Sequence, residues 1–224
     1  MNQSNTVRFN NANRSFYLTA KKRVDEYFKA NNISRYGNYN MVIKSIFMFT
    51  LYFTPFVLLL TNVFESYWLH SLMWILMGFG MSGIGLSIMH DANHGSYSRN
   101  ATFNAIMCRS MNFVGGSSLN WQLQHNVLHH TYTNIEGHDE DISSIGLLRF
   151  SPHTPLKKVH KLQFLYAWFF YGLMTIMWAT TKDFQQLVRY SKMGMLEQRK
   201  TTFKKELYLL ILNKIFYLGY SLAL

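Results

Sequence analysis

Ile46 to Phe64, IFMFTLYFTPFVLLLTNVF, is a nearly uninterrupted apolar run of bilayer-spanning length, and its reading decides the fold class. A helix crosses the hydrocarbon core with about 20 such residues. The run is broken only by Pro55, which membrane helices tolerate because neighbouring groups satisfy the freed backbone. After a short link holding Glu65, a second apolar run follows from Tyr67 to Met89, with Gly78, Gly80, Gly83 and Gly85 spaced so that two helices can approach closely. The expectation is an all-α integral membrane protein built on a transmembrane hairpin, with interfacial helices around it.

The composition agrees once it is read in blocks. The 224 residues are 49% hydrophobic and 17% aromatic, with 18 Phe, 14 Tyr and 13 Met, more than an ordinary soluble domain uses. The mean hydropathy of -0.05 looks soluble only because apolar runs alternate with polar connections. A formal net charge of +11 would suit nucleic acid, but no zinc-finger spacing, RNA-binding signature or continuous basic helix accompanies it, so nucleic acid is not expected as a partner. The excess fits a cytoplasmic face against anionic membrane lipid. The single Cys108 excludes an intrachain disulfide and a cysteine-ligated metal site held by this chain alone.

Charge also orients the hairpin. Residues 1–44 carry eight basic and two acidic side chains, whereas the link between the runs carries one Glu and no Lys or Arg. The basic segment is therefore expected in the cytoplasm and the link outside, which returns His90 to the cytoplasmic side. The N-terminus has no apolar core with a small-residue cleavage site, so the first membrane helix is expected to do the targeting. Within the basic segment, Phe16, Tyr17, Val24, Tyr27 and Phe28 are spaced as one face of a helix over about 15–31, lying on the membrane or packed on the protein.

Two histidine-rich stretches follow the second run: HDANHGSYS, His90 to Ser98, and WQLQHNVLHHTYTNIEGHDED, Trp121 to Asp141. Five of their six histidines are spaced as HxxxH (His90, His94) and HxxxHH (His125, His129, His130). Residues four apart on a helix share a face, with Cβ atoms about 5–6 Å apart, so each pair can present two imidazoles to one ion or to neighbouring ions. Imidazole suits iron, zinc and copper rather than magnesium or calcium. Five histidines exceed the three protein ligands of a catalytic zinc, so two ions are the simpler count. Cation transport is a rival, but its ionisable groups lie at mid-membrane depth, and these lie just beyond the helix ends. A catalyst acting on an acyl chain at the interface fits that placement.

The neighbours leave alternatives open. Asp91 or Asn93 can bond the free ring N–H of a ligand histidine or cap the helix end beside Gly95. Trp121 and Gln124 can shape an acyl tunnel or simply pack, and Asp139 and Asp141 can support the site or face water. His138 is a minor ligand candidate, and His70, His153 and His160 read as ordinary interface or loop residues. Asn100 to Ser118 reads as an interfacial or capping helix. Leu162 to Ala179 is apolar enough to span, but the net +4 of residues 181–206 argues that it enters or lies along the cytoplasmic side without crossing. Leu207 onward would then open the next crossing, with Lys214 snorkelling to the surface. A chain ending inside such a run reads as a fragment.

HDANHGSYS and GGSSLNWQLQHNVLHHTYTNIEGHDEDI resemble the first two histidine boxes of the membrane fatty acid desaturases, in particular the acyl-CoA and acyl-lipid subgroup that includes linoleoyl-CoA and front-end enzymes. The resemblance divides the chain into a basic segment, 1–44, and a desaturase-like membrane domain, 45–224, incomplete at its C-terminus. It implies His90 and His94 as first-box and His125, His129 and His130 as second-box ligands of two iron ions. It further implies O2, a fatty acyl-CoA or acyl-lipid substrate, and a separate electron donor such as ferredoxin or cytochrome b5. The family's third box, of the type QxxHH, is not in these residues, so the chain alone is expected to be inactive. A related di-iron hydroxylase or ketolase, or a non-catalytic metal-binding remnant, are the competing readings.

Overall fold

The computed structural model describes residues 7–10, 12, 14–143 and 146–224, so the first six residues of the basic segment lie outside it. The described residues are helical, with no strand among them. Helix α1, Ser15–Ala30, precedes the two long helices of the hairpin, α2, Tyr39–Leu60, and α3, Tyr67–Asn93. The Asn38 side chain starts α2 by accepting from the N–H groups of Asn40 and Met41, two of the donors that a helix leaves unpaired in its first turn. Helix α2 carries Pro55 without interruption.

The hairpin closes where glycine removes a side chain. A Cβ on Gly80 would stand 2.6 Å from the Tyr52 backbone nitrogen, and one on Gly83 would overlap the Met48 side chain. Gly78 and Gly85 face nothing within 4 Å, so only two of the four glycines expected at the contact make it. Tyr52, Met77, Ile84, Ile88 and Met111 form the core there. Against it lies α4, Ala101–Cys108, capped by Asn100 and continued by a tight turn over Arg109–Val114.

The chain then turns at Gly115, whose φ of +81° suits a residue without Cβ, and enters α5, residues 118–132, capped by Ser117. A loop leads to α6, Lys158–Lys192, then α7, Met195–Gln198, and α8, Phe203–Ser221, which folds back on the second half of α6. Leu123, Leu187, Tyr190, Leu196 and Leu210 make a second core between them.

By length and composition, three helices among the described residues can cross a membrane: α2, α3 and α6. Residues 162–179, expected to enter or lie along the cytoplasmic side of the membrane without crossing, form part of α6, which runs on through the basic residues Lys182, Arg189 and Lys192. Helix α8, expected to open the next crossing, is not among the three.

Lys214 does not snorkel. It is 6% exposed, and its Nζ donates to the Asp183 carboxylate at 2.6 Å, to the Gly115 carbonyl at 2.7 Å and to the Trp178 carbonyl. A buried ammonium needs an anion and acceptors for its three protons, and this site supplies all of them. Asp183 is buried as well, and its backbone carbonyl accepts from the Asn120 amide at 2.7 Å, so the ion pair reaches the first turn of α5.

Removing one partner of this pair strands a buried charge, so Lys214→Met should cost about 3–5 kcal/mol. The paired change Lys214→Met with Asp183→Leu should recover most of that loss, as read from unfolding midpoints in detergent micelles.

Candidate metal centre

The first histidine stretch occupies the end of α3. The helix loosens into a π-helical turn over Ile84–Met89 and returns to α-helical geometry for His90–Asn93. It stops at Gly95, with φ of +72°, after which the N–H groups of Ser96 and Tyr97 bond back to the Asp91 carbonyl. His90 and His94 therefore sit one turn apart on the last ordered face, with ring centroids 4.6 Å apart.

The second stretch uses another π-helical segment, Gln122–His129, inside α5. In an α-helix each residue advances about 100°, which puts a residue five positions on roughly 140° around the axis. In a π-helix the advance is about 80°, and five residues make little more than one turn. That change brings His130 onto the same side as His125 and His129. The ring centroids of His125 lie 5.1 Å from His129 and 4.8 Å from His130.

The two helices bring all five histidines together. His125 lies 5.3 Å from His90 and 5.4 Å from His94, and His130 lies 4.9 Å from His94. Trp121 packs against one side of this cluster, 4.5 Å from the His125 ring and 5.5 Å from His90. Among the described residues, His90, His94 and His125 offer ring nitrogens close enough together to share one ion.

His125, His129 and Asp141 also lie close enough to hold an ion, but their contacts are those of hydrogen bonds. His125 Nδ1 lies 3.1 Å from Asp141 Oδ2, and His129 Nδ1 lies 3.0 and 3.1 Å from the two Asp139 oxygens. An ionised carboxylate only accepts, so each Nδ1 is the donor and each Nε2 keeps its lone pair. The acids orient the rings and leave the other nitrogen free for a metal.

Asp139 does not face water. It is 2% exposed and also accepts from the backbone N–H groups of Asn134 at 2.8 Å and Asp141 at 2.9 Å. Burial opposes its ionisation, but these N–H groups and His129 outweigh it and hold the carboxyl below its usual range. Gln124 donates to Asp141 at 2.6 Å and accepts from Gln186 on α6 at 2.5 Å. Gln186 also donates to the Tyr190 hydroxyl, which in turn donates to Glu140 at 2.7 Å. Gln124 thus belongs to a polar network that anchors the acidic loop to α6.

Asn93 does not bond a histidine ring. Its Oδ1 accepts from Gln122 at 2.7 Å and its carbonyl accepts from Asn126 at 2.9 Å, so it clamps α3 to α5. Asp91 reaches its neighbour His90 only at 3.4 Å. His138 packs on Tyr132 with centroids 5.1 Å apart, while His70 bonds Ser66 and Asn62 in the hairpin turn. His160 contacts Lys157 and Gly146. Gln122, Asn126, Gln186 and Tyr190 were not evident from spacing. The mixed polar and apolar helical pattern of residues 183–190, DFQQLVRY, was the available sign of a polar contact on α6.

Electrostatics favour the unprotonated form of two of the rings. Burial, reinforced by His90, His125 and His130, lowers the pKa of His94 from 6.5 to about 4, and burial also lowers that of His125 against the pull of Asp141. A cluster of imidazole nitrogens with carboxylates behind two of the rings fits a borderline divalent metal such as iron.

Because His94 binds its proton more weakly folded than unfolded, metal-free protein should lose stability as pH falls from about 6.5 towards 4 and gain no further loss from this group below that. His94→Gln should flatten the melting curve's dependence on pH in that window.

A family model described as fatty acid desaturase matches residues 66–224. The acyl-lipid (8-3)-desaturase of Physcomitrium patens is 35% identical over 181 residues, 77% of this chain and 36% of its own length. The sn-1 linoleoyl-lipid 6-desaturase of Arthrospira platensis is 38% identical over 164 residues, 73% of this chain and 44% of its own. A protein of the same description from Synechocystis sp. is 32% identical over 167 residues, covering 74% and 46%. The chain spans less than half the length of each. No solved structure matches it significantly.

Proposed function

Since the chain belongs to the fatty acid desaturase family, we propose that it forms the first two-box portion of an oxygen-dependent desaturase that introduces a double bond into a lipid-linked fatty acyl chain. The observation that carries this reading is the convergence of His90, His94, His125, His129 and His130, from two helices distant in sequence, into one cluster. The relatives named for acyl-lipid substrates favour a lipid over a CoA carrier. In this reading the site lies on the cytoplasmic face of a multi-pass membrane protein, which the charge asymmetry between residues 1–44 and the hairpin link supports.

Two iron ions held by these histidines, with ligands from a third box, would supply the activation of O2. In the balanced reaction O2 accepts two electrons from a separate donor, ferredoxin or cytochrome b5, two protons from water, and two more electrons with the two hydrogens leaving adjacent methylenes. Two waters result. The protein's own part is to hold and orient. Asp139 and Asp141 fix the rings of His129 and His125 with Nε2 free, and Gln122 and Asn126 hold the two helices at one separation. Trp121 lays an apolar ring against His90 and His125, a surface that suits a hydrocarbon chain.

Expressed as a reading frame that includes a third box, with a ferredoxin or cytochrome b5 donor, the protein should convert a saturated methylene pair to an alkene. A hydroxylated product, or iron-loaded protein without product, would overturn the reading. Asp139→Asn should lower iron affinity by roughly 10–100-fold while leaving the fold intact, read as iron per chain by metal analysis.

A further inference from the structure

Helix α1 contributes nothing to the histidine cluster, and no residue of it is buried. At about 100° per residue, Phe16, Ala20, Val24 and Tyr27 fall on one stripe, with Tyr17 at its edge. Phe16 is 84%, Tyr27 60% and Val24 52% exposed. On the helical wheel Lys21 and Arg23 stand at the two margins of this stripe, while Asp25 and Glu26 point away from it. Both acids are occupied: Glu26 pairs with Lys22 at 3.8 Å and Asp25 with Arg35. Lys21 and Arg23 make no ion pair among the described residues. An apolar stripe bordered by unpaired cations, with neutralised acids behind it, is complementary to an anionic bilayer surface.

The placement agrees. Upstream of α1, Phe9 stacks on Tyr132 at the end of α5 with centroids 6.0 Å apart. Downstream, the Gly37 N–H donates to the Ser96 carbonyl at 3.1 Å, two residues before α2 begins at Tyr39. Both flanks of α1 are thus docked where α2 and α3 emerge beside the histidines, the level at which a bilayer surface meets this hairpin.

We propose that α1 is an interfacial helix lying in the membrane plane, with Phe16, Val24 and Tyr27 among the acyl chains just below the headgroups and Lys21 and Arg23 held by anionic lipid. This needs the hairpin to be in a membrane and does not depend on metal or on the reaction.

The test uses the whole chain in lipid nanodiscs, with Cys108→Ser and a single environment-sensitive fluorophore on Val24→Cys or, as the opposite-face control, Lys22→Cys. In discs containing phosphatidylglycerol, the Val24 probe should be blue-shifted and quenched by brominated acyl chains, and the Lys22 probe should be neither. Lys21→Glu with Arg23→Glu should weaken that quenching, each lost cation changing the membrane-bound fraction's equilibrium roughly fivefold. A water-exposed Val24 probe would overturn the proposal, as would one shielded without quenching, which means a protein partner covers the stripe. Quenching unchanged in purely zwitterionic discs and in the double-charge variant would also overturn it. Tyr27→Cys serves as the stripe position if Val24→Cys does not elute as folded protein.

Discussion

The ammonium of Lys214 is shared among the Asp183 carboxylate and the carbonyls of Gly115 and Trp178, so three separate segments, α8, α6 and the turn at Gly115, meet at that one atom. A charge removed from water must be met by groups in fixed positions, because any partner that moves away leaves it unsolvated. The pair therefore dictates how α8 docks on α6 and where the chain turns before α5. Through the Asn120 amide on the Asp183 carbonyl, the same constraint reaches the first turn of the helix that carries three of the five histidines. Geometry at the cluster thus depends on a contact at its back.

The cluster itself rests on departures from regular helix. Each histidine stretch lies in or directly after a π-helical turn, and in α5 the slower rotation puts His130 beside His125 instead of around the axis from it. Such turns sacrifice regular hydrogen bonding and persist where neighbouring contacts hold them. Here those contacts are visible: Gln122 and Asn126, both within or beside the π segment, bond Asn93 at the end of α3. Asp139 and Asp141 then lock the rings from the far side. Positioning is shared between two helices and one loop, and the loop is anchored on α6 through Gln186 and Tyr190.

This arrangement places a rigid polar site at the mouth of an apolar hairpin, which suits chemistry on a chain that resides in lipid. The helix preceding the hairpin extends the same logic outward, since its apolar stripe and bordering cations match the boundary at which such a substrate would be met. Core packing remains close where glycine permits it, at Gly80 and Gly83, and these contacts set the spacing of α2 and α3 on which the first histidine pair depends.

The sequence by itself determined the apolar helices of the hairpin and singled out the five histidines as a group. Uniform apolar runs have one low-energy outcome in a bilayer, and four-residue histidine spacing has one obvious meaning on a helix, so the hairpin and the five histidines were legible from local pattern. It also showed acids after the second box without deciding whether they met water or histidine. Only the tertiary structure decided that Asp139 is buried under His129, that Asn93 clamps helices instead of bonding a ring, and that Lys214 turns inward to Asp183. Those outcomes depend on which side chains arrive from segments tens of residues away. A polar group's fate is set by whether a partner reaches it, and no local pattern carries that information.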